Sequence, residues 1–436
     1  MYLSTNSKCA VSSLVLAALS FFMLLASTLS PGEDVSVLFV FFWFACLVCY
    51  FWVFGFFSLV FLFFITSVPY FFASIVSLVF FDRFLLSLKE ILFFQFLCSL
   101  FAVAFMLGGM FKLFDLSNIV VESKGREGVG YGFLVVSFFV LLVAWVVFGF
   151  DIGGVTRAEM YKTKPVYYDL LKLLFYSYAT FMVWYFWSSG RGWNLCFWVC
   201  LGLVLFVDVV VLGDRRMALS FGLATLFIIS RSSRPSVKII FLASLCVGAF
   251  YIFGFFRNYP VSEWIAVSSD LNFLSFLDPS NAEFGAFYSV YADVYFDGGI
   301  DFMPTYLYAP IQLVPTFLNP DRPLPPSVWF VYNYHPDIHS SGGGMAFNSI
   351  LESVMNFSYI GPFLVGFAWG AGLNSIERSK SNFSVLIGAL ILLSCSFSPR
   401  VDFVTFLRTI IICGSIFFVL LLFSHRIFFR TGHALK

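Results

Sequence analysis

Charged residues are scarce in this sequence. Only 11% of the 436 residues are charged, whereas 60% are hydrophobic and 21% are aromatic; soluble globular proteins average about 25% charged residues. The 63 phenylalanines recur along almost the whole chain, so that no water-soluble half separates from a single membrane anchor. The lack of charge therefore excludes a soluble globular protein and predicts an integral membrane protein.

A charge excess of either sign is also missing. The formal net charge is +1 and the isoelectric point is near 7.5. The sequence contains no Gly-rich nucleotide-binding loop and no run of Lys and Arg. A chain of this kind has no general attraction to nucleic acid, and we expect no nucleic-acid partner.

The nine cysteines lie in or beside apolar stretches, and the long polar segment has none. This distribution predicts no disulfide framework. Cys46 and Cys49, like Cys196 and Cys200, are spaced as neighbours on a helix. The spacing favours small residues in a helix interface over half of a metal site.

Two histidines give the other candidate metal site. His335 and His339 lie four residues apart with Asp337 between them, a spacing that could bind a metal on a helix. Pro336 and the glycines after His339 argue against a helix there. We therefore expect no metal and no cofactor, and regard His339 as a hydrogen-bond donor or proton shuttle.

Twelve apolar stretches approach the roughly 20 residues that a helix needs to cross a bilayer. The stretch 217–230 is short for a span and could be tilted, buried or re-entrant. We interpret the first stretch as a span and not as a cleaved signal peptide. The predicted spans are 10–29, 35–54, 56–80, 91–113, 129–150, 170–187, 193–212, 217–230, 238–256, 346–373, 383–398 and 403–424.

These spans predict three regions. Residues 1–256 form an N-terminal bundle of about nine helices, residues 257–345 form a large loop, and residues 346–436 hold about three helices and a basic tail. Twelve spans place both termini on one side, which Lys8 and the basic tail predict to be the cytoplasm. The basic loop 151–169, assigned outside, does not follow that rule.

The loop 257–345 carries nine acids but only two cations, Arg257 and Arg322, and no lysine. Arginine is permanently charged and can donate two parallel hydrogen bonds to one anion, so that two arginines without a lysine favour specific roles for these two residues. The alternative is an ordinary solvated loop. Within it, residues 283–301 predict an amphipathic helix on the membrane face. Its aligned tyrosines would form a membrane-interface belt or, second, a platform for sugar rings: Tyr288, Tyr291 and Tyr295.

Several short motifs lie in a fixed order within residues 210–410. PTFLNPDRPLPPS, at residues 315–327, is followed by the stretch from His339 to Gly370, and the flanking motifs are VLGDRRMAL at 211–219 and SPRVDFVTFLR at 398–408. Together they resemble the Wzy-type O-antigen and oligosaccharide repeat-unit polymerases. The matching residues are Gly342, Gly343, Gly344, Glu352, Asn356, Phe357 and Gly361. In the family a glycine often comes soon after the phenylalanine of this pattern, whereas Ser358 and Tyr359 follow Phe357 here.

The resemblance implies a GT-C-like, all-α polytopic fold in the bacterial inner membrane, with an active site that faces the periplasm. It also implies a glycosyltransferase that joins oligosaccharide repeat units carried on undecaprenyl diphosphate. A flippase and a chain-length regulator are the implied partners.

A diphosphate leaving group gains negative charge as the anomeric bond breaks, and arginine grips phosphate bidentately. Under the predicted topology six arginines from different segments lie at or near the outer face. Arg215 and Arg216 are alternatives for the family's Gly-x-Arg residue, and Arg408 could instead pair with Asp402. The predicted clamp consists of Arg215, Arg216, Arg257, Arg322, Arg400 and Arg408.

An acceptor hydroxyl needs a base, for which Glu352 is our candidate. Asn356 lies one turn later on the same helical face. The alternative is that Glu352 pairs with an arginine and only holds the loop.

Two other functions remain open. In an O-antigen ligase or another lipid-linked glycosyltransferase, Glu33 or Asp34 would serve as the base. A flippase or transporter should show repeated halves and ionisable groups near the midplane; the sequence shows no internal repeat.

Overall fold

The computed structural model describes residues 4–29, 33–80, 87–123, 136, 139, 168–188, 215–232, 266, 285–296, 300–314, 318–340, 347–379, 381–395, 399 and 401–429. Their contacts divide the chain into two units. The first comprises Met1–Phe114, Phe273–Arg378 and Phe397–Arg408, and the second comprises Asp115–Asn272, Ser379–Ser396 and Thr409–Lys436.

The described part is helical apart from two short strands. The first half contains α1 (Thr5–Leu29), α2 (Glu33–Phe54), α3 (Leu59–Phe80), α4 (Leu88–Gly108), β1 (Ile119–Ser123), α5 (Tyr168–Ser188) and α6 (Arg215–Ser232). The second half contains α7 (Gly285–Phe296), α8 (Thr305–Leu313), α9 (Pro326–Tyr334), α10 (Pro336–Ser340), α11 (Ser349–Phe357), a 3-10 turn (Ser358–Ile360), α12 (Gly361–Ser379), α13 (Asn382–Cys395), α14 (Phe403–Ser424) and β2 (His425–Phe429).

Five helical segments among the described residues are long and apolar enough to cross a membrane: Asn6–Ala26, Val37–Phe54, Leu88–Gly108, Ser349–Ser379 and Phe403–Leu422. Shorter apolar helices occupy Leu59–Phe72, Leu219–Arg231 and Asn382–Ser394. The chain is a multi-pass membrane protein. The predicted spans 129–150, 193–212 and 238–256 lie outside the described residues, so that twelve spans and a GT-C-like arrangement stay predictions.

The continuous helix predicted over 346–373 is interrupted in the structure. Ser358 has a φ of 56°, which ends α11, and the chain turns before α12. At Gly361 an added Cβ would lie 1.9 Å from the backbone oxygen of Ser353. Only glycine allows the chain to pass α11 this closely, so that α12 can begin directly beside α11.

Helix α12 packs against α4 with almost no side chain between the two backbones. A Cβ on Gly370 would lie 1.9 Å from the oxygen of Phe105, and a Cβ on Gly366 would lie 2.5 Å from the oxygen of Phe101. Small residues four apart permit this close approach of membrane helices. The glycines therefore fix α12, and with it the turn to α11, against α4.

The two ends of α12 lie at opposite ends of the first unit. At its C-terminal end Arg378 donates to the side chain of Asn6 at 2.7 Å, and Asn374 donates to the backbone oxygen of Phe111 at 2.8 Å. The 19 residues of α12 span about 28 Å at 1.5 Å per residue, close to the thickness of a bilayer core. Helix α11 therefore lies about one membrane thickness from Asn6.

The predicted tyrosine helix forms as α7, but its environment differs from the prediction. Tyr288 and Tyr291 are fully buried, and the Tyr291 ring lies 4.4 Å from that of Phe94 in α4. The interpretation as a membrane-interface belt is therefore wrong for these two residues. The aromatic face of α7 packs on protein, because α4 presents a complementary aromatic surface.

The second unit contains a three-helix contact among α5, α6 and α13. Trp184 of α5 donates to the backbone oxygen of Asn382 at 3.0 Å. Strands β1 and β2 pair in antiparallel register, with Val121 opposite Ile427. The pairing holds the segment after α4 beside the end of α14.

Candidate functional site

The carboxylate of Glu352 joins three helices of the first unit. Helix α11 places Glu352 in its first turn, where the side chain is 1% exposed. Oε1 accepts a hydrogen bond from the Thr305 hydroxyl of α8, and Oε2 accepts one from the backbone N–H of Phe403 in α14; both measure 2.8 Å. The second bond satisfies an N–H group that a helix N-terminus leaves without an intrahelical partner.

Asn356 completes this network one turn after Glu352. Its Nδ2 donates to the Thr305 hydroxyl oxygen at 2.7 Å, and its Oδ1 accepts from the backbone N–H of Tyr306 at 3.0 Å. Because Thr305 accepts from Asn356, its own proton points to Glu352. Burial first, and then the Glu352 carboxylate, raise the pKa of the Tyr306 phenol well above its usual value.

Asp402 is the N-cap of α14. Its Oδ1 accepts from the backbone N–H of Thr405 at 2.7 Å, and its Oδ2 accepts from the N–H of Ser327 at 3.3 Å. The side chain is fully buried and makes no ion pair with Arg408 among the described residues. The alternative pairing of Arg408 with Asp402 is therefore not what the structure shows.

Arg322 and Arg408 converge on the C-terminal end of α8. Nη1 of Arg322 donates to the backbone oxygens of Gln312 and Val314, and Nη2 of Arg408 makes a long contact of 3.5 Å with the same Gln312 oxygen. Within the described part of the chain, neither arginine forms a salt bridge. Glu352, likewise, is not paired with an arginine there, so that the predicted strut between Glu352 and an arginine is not observed.

Helix α8 separates the two halves of this site. Thr305, at its first residue, contacts Glu352, and Gln312, near its end, contacts the two arginines. Seven residues of helix correspond to about 10 Å. The carboxylate and the two guanidiniums therefore occupy opposite ends of one short helix.

The other predicted residues are not joined to this network by any contact in the described part of the chain. His339 is exposed and its ring lies 5.4 Å from that of Tyr332. The short helix α10 does form after Pro336, contrary to the sequence-based argument. Nε2 of His335 lies 3.2 Å from Oδ2 of Asp293. The described residues contain no group of three or more His, Cys, Asp or Glu that could hold a metal.

Four predicted arginines cannot be placed in the site. Arg257 and Arg400 lie outside the described residues, as do Gly342–Gly344. Arg215 and Arg216 begin α6 in the second unit, and only their backbone is described. The same holds for Glu33 and Asp34, the alternative bases, at the start of α2.

The sequence analysis missed Thr305 and Gln312. Both lie in α8, within the loop that the sequence presented as polar and irregular, and both are 1% exposed. A threonine after Met303 and Pro304 and a glutamine before Leu313 carry no motif. Only the burial of the two side chains marks them, and this burial depends on contacts with residues far away in the sequence, which no local pattern predicts.

Residues 327–431 match the model of the family described as O-antigen polysaccharide polymerase Wzy. The match confirms the resemblance predicted from the sequence motifs and covers Glu352, Asn356, Asp402 and Arg408. Comparisons with curated proteins and with solved structures gave no match.

Proposed function

We propose that this protein polymerises undecaprenyl-diphosphate-linked oligosaccharide repeat units into O-antigen or a related surface polysaccharide. The Wzy family match over 327–431 and the multi-pass helical architecture support a role as an O-antigen polymerase. The proposed location is the periplasmic face of the bacterial inner membrane. The proposed partners are a flippase, which would deliver the repeat units, and a chain-length regulator.

One observation carries the chemical part of the proposal. Arg322 and Arg408 come from different segments and converge on one carbonyl oxygen, that of Gln312, without a carboxylate partner among the described residues. Two cations that share only neutral oxygens keep their charge for an anionic ligand. A diphosphate suits two guanidiniums, because each can donate two parallel hydrogen bonds to it.

In the proposed reaction a hydroxyl of the acceptor sugar attacks the anomeric carbon of the donor repeat unit. The bond from that carbon to the diphosphate oxygen breaks, and the undecaprenyl diphosphate leaves with the electron pair. The attacking hydroxyl gives its proton to a base, for which Glu352 is the candidate. Arg322 and Arg408 stabilise the charge that develops on the leaving oxygen. Arg215, Arg216, Arg257 and Arg400 are further candidates for this clamp, and His339 is a candidate hydrogen-bond donor or proton shuttle.

The role of Glu352 follows from its contacts. Both of its oxygens accept hydrogen bonds and its side chain is sealed from solvent. In this conformation Glu352 is a positioning residue, which with Asn356 holds α8 against α14. Taking the acceptor proton would require Glu352 to release Thr305, and this role stays a prediction.

The proposal is tested with purified protein in liposomes, supplied with lipid-linked repeat units and analysed for chain-length ladders on a gel. We expect polymer, and unchanged polymer in the presence of EDTA, because arginines bear the phosphate charge. A ligase would attach the unit to another acceptor without lengthening it, and a transporter would leave single units. Either result contradicts the proposal.

Arginine variants test the clamp in the same assay. Arg322→Gln and Arg408→Gln should each lower the polymerisation rate roughly tenfold to a hundredfold, the loss of one charge-assisted bond. Arg378→Gln is the matched control, because Arg378 binds Asn6 at the opposite end of the unit. Normal ladders in both site variants would contradict the clamp, as would equal losses in all three.

A further inference from the structure

Gln312 lies between the two arginines and is not explained by the proposed chemistry. Its side chain is 1% exposed. Its Nε2 donates to the backbone oxygen of Leu324 at 2.9 Å. A carbonyl oxygen can only accept, so this bond fixes which end of the amide faces Leu324.

The other end of the amide has no partner. Oε1 of Gln312 is buried without a hydrogen bond from any residue that the structure describes. A buried acceptor without a donor is unfavourable, because it loses its bonds to water and gains none in return. Such groups are uncommon in folded proteins, and a ligand is one of the explanations for them.

The position of Oε1 indicates the ligand. The backbone oxygen of the same residue accepts from Arg322 and lies 3.5 Å from Arg408. Any group that meets the side-chain oxygen therefore lies within the length of one glutamine side chain from the backbone oxygen that the two guanidiniums approach. A diphosphate has only acceptor oxygens when it is fully ionised and cannot satisfy Oε1. A sugar attached to that diphosphate carries hydroxyl or amide donors that can.

We infer that Gln312 is a sugar-binding residue, and that its Oε1 accepts a hydrogen bond from a hydroxyl or N–H group of the first sugar attached to the lipid diphosphate. The inference rests on the proposed function, because it takes the two arginines as the diphosphate site. The inference includes a rearrangement, in which the arginine side chains exchange the α8 carbonyls for the diphosphate and the last turn of α8 becomes accessible to the sugar. Gln312 then distinguishes a glycosylated lipid from the bare diphosphate that leaves after transfer.

The test compares two probes: undecaprenyl diphosphate, and the same lipid carrying the repeat unit, extracted from cells that lack this protein. Binding of each to the full-length protein in nanodiscs is measured for Gln312→Met, which keeps the side-chain length but removes the amide. Affinity for the glycosylated lipid should fall about fivefold to tenfold, the loss of one neutral hydrogen bond. Affinity for undecaprenyl diphosphate should change less than twofold.

Asn333→Leu is the matched control. The Asn333 amide also donates to a backbone oxygen, that of Trp329 at 2.8 Å, but its side chain is exposed. We expect neither probe to change. Where Gln312→Met does not fold, Gln312→Asn withdraws the amide by one methylene and should give the same selective loss.

The outcomes separate the two proposals. Equal losses on both probes, or no loss on either, would overturn the assignment of Gln312. If Arg322→Gln and Arg408→Gln bind undecaprenyl diphosphate as well as the wild type does, the diphosphate clamp is wrong, whatever Gln312→Met shows. Selective loss of the glycosylated lipid in Gln312→Met, with loss of both probes in the arginine variants, supports both.

Discussion

Substitutions of Glu352 separate a positioning role from a proton-accepting role. In Glu352→Gln the amide oxygen can still accept from the Phe403 N–H, and the amide nitrogen can donate to Thr305, whose hydroxyl oxygen has a second lone pair. The variant exchanges charge-assisted for neutral hydrogen bonds. The difference between the two kinds is about 1 kcal/mol.

Glu352→Ala removes both hydrogen bonds and offers no acceptor in their place. The Phe403 N–H and the Thr305 hydroxyl each lose their hydrogen-bond acceptor. Each unsatisfied group costs about 1–3 kcal/mol, so that the loss of two acceptors destabilises the folded state by about 2–6 kcal/mol relative to the wild type. The melting temperatures should therefore decrease in the order wild type, Glu352→Gln, Glu352→Ala.

The assay combines thermal melting of the purified variants in detergent with chain-length ladders from the liposome reaction. A positioning role predicts that Glu352→Gln retains long chains, whereas Glu352→Ala yields single-repeat product because α8 is no longer held against α14. One result would refute this reasoning: a Glu352→Gln protein that melts like the wild type but makes only single-repeat product. The carboxylate would then be needed for its charge or basicity.

Three further predictions follow from the backbone. Gly370→Ala should destabilise the protein severely, because its Cβ would meet a backbone oxygen of α4, whereas Gly372→Ala, with nothing within 4 Å, should be neutral in the same melting assay. Ser358→Gly should raise stability by about 1–3 kcal/mol, because φ 56° and ψ −162° suit only glycine; a lower melting temperature would contradict the strain. Leu113→Cys and Phe302→Cys, both exposed, should be labelled from opposite sides of the membrane in a cysteine-free background, and labelling from one side would contradict the orientation of α12.

Hydrophobic length alone predicted most of the fold. Eight of the predicted spans each coincide with one helix of the described residues, and the span 346–373 coincides with two, because the cost of an unpaired backbone in lipid makes a long apolar stretch helical. The break at Ser358 was not predictable in the same way. Hydrophobic length does not reveal it, although the Gly361–Pro362 pair that follows is a turn signal and α12 begins there; the positive φ of the serine itself has no counterpart in the sequence.

The site was predictable only where a motif marked it. Glu352 and Asn356 were found because their spacing of four and their family pattern are local. Thr305, which both contact, lies 47 residues before Glu352. No periodic pattern in the sequence predicts a hydrogen bond over that separation, and only the packing of α8 against α11 reveals it.

The sequence left open whether Arg408 pairs with Asp402, and the structure does not show that pair. With so few ionisable residues, opposite charges close in sequence, such as Asp402 and Arg408, would be expected to pair. The structure instead satisfies the carboxylates at the N-terminus of α14 and the arginines at the C-terminus of α8, where the helix dipoles have the complementary sign. A helix end offers about half a unit charge, too little to neutralise a guanidinium. Arg322 and Arg408 are therefore held in place without being neutralised, which is the condition that a binding site for a diphosphate requires.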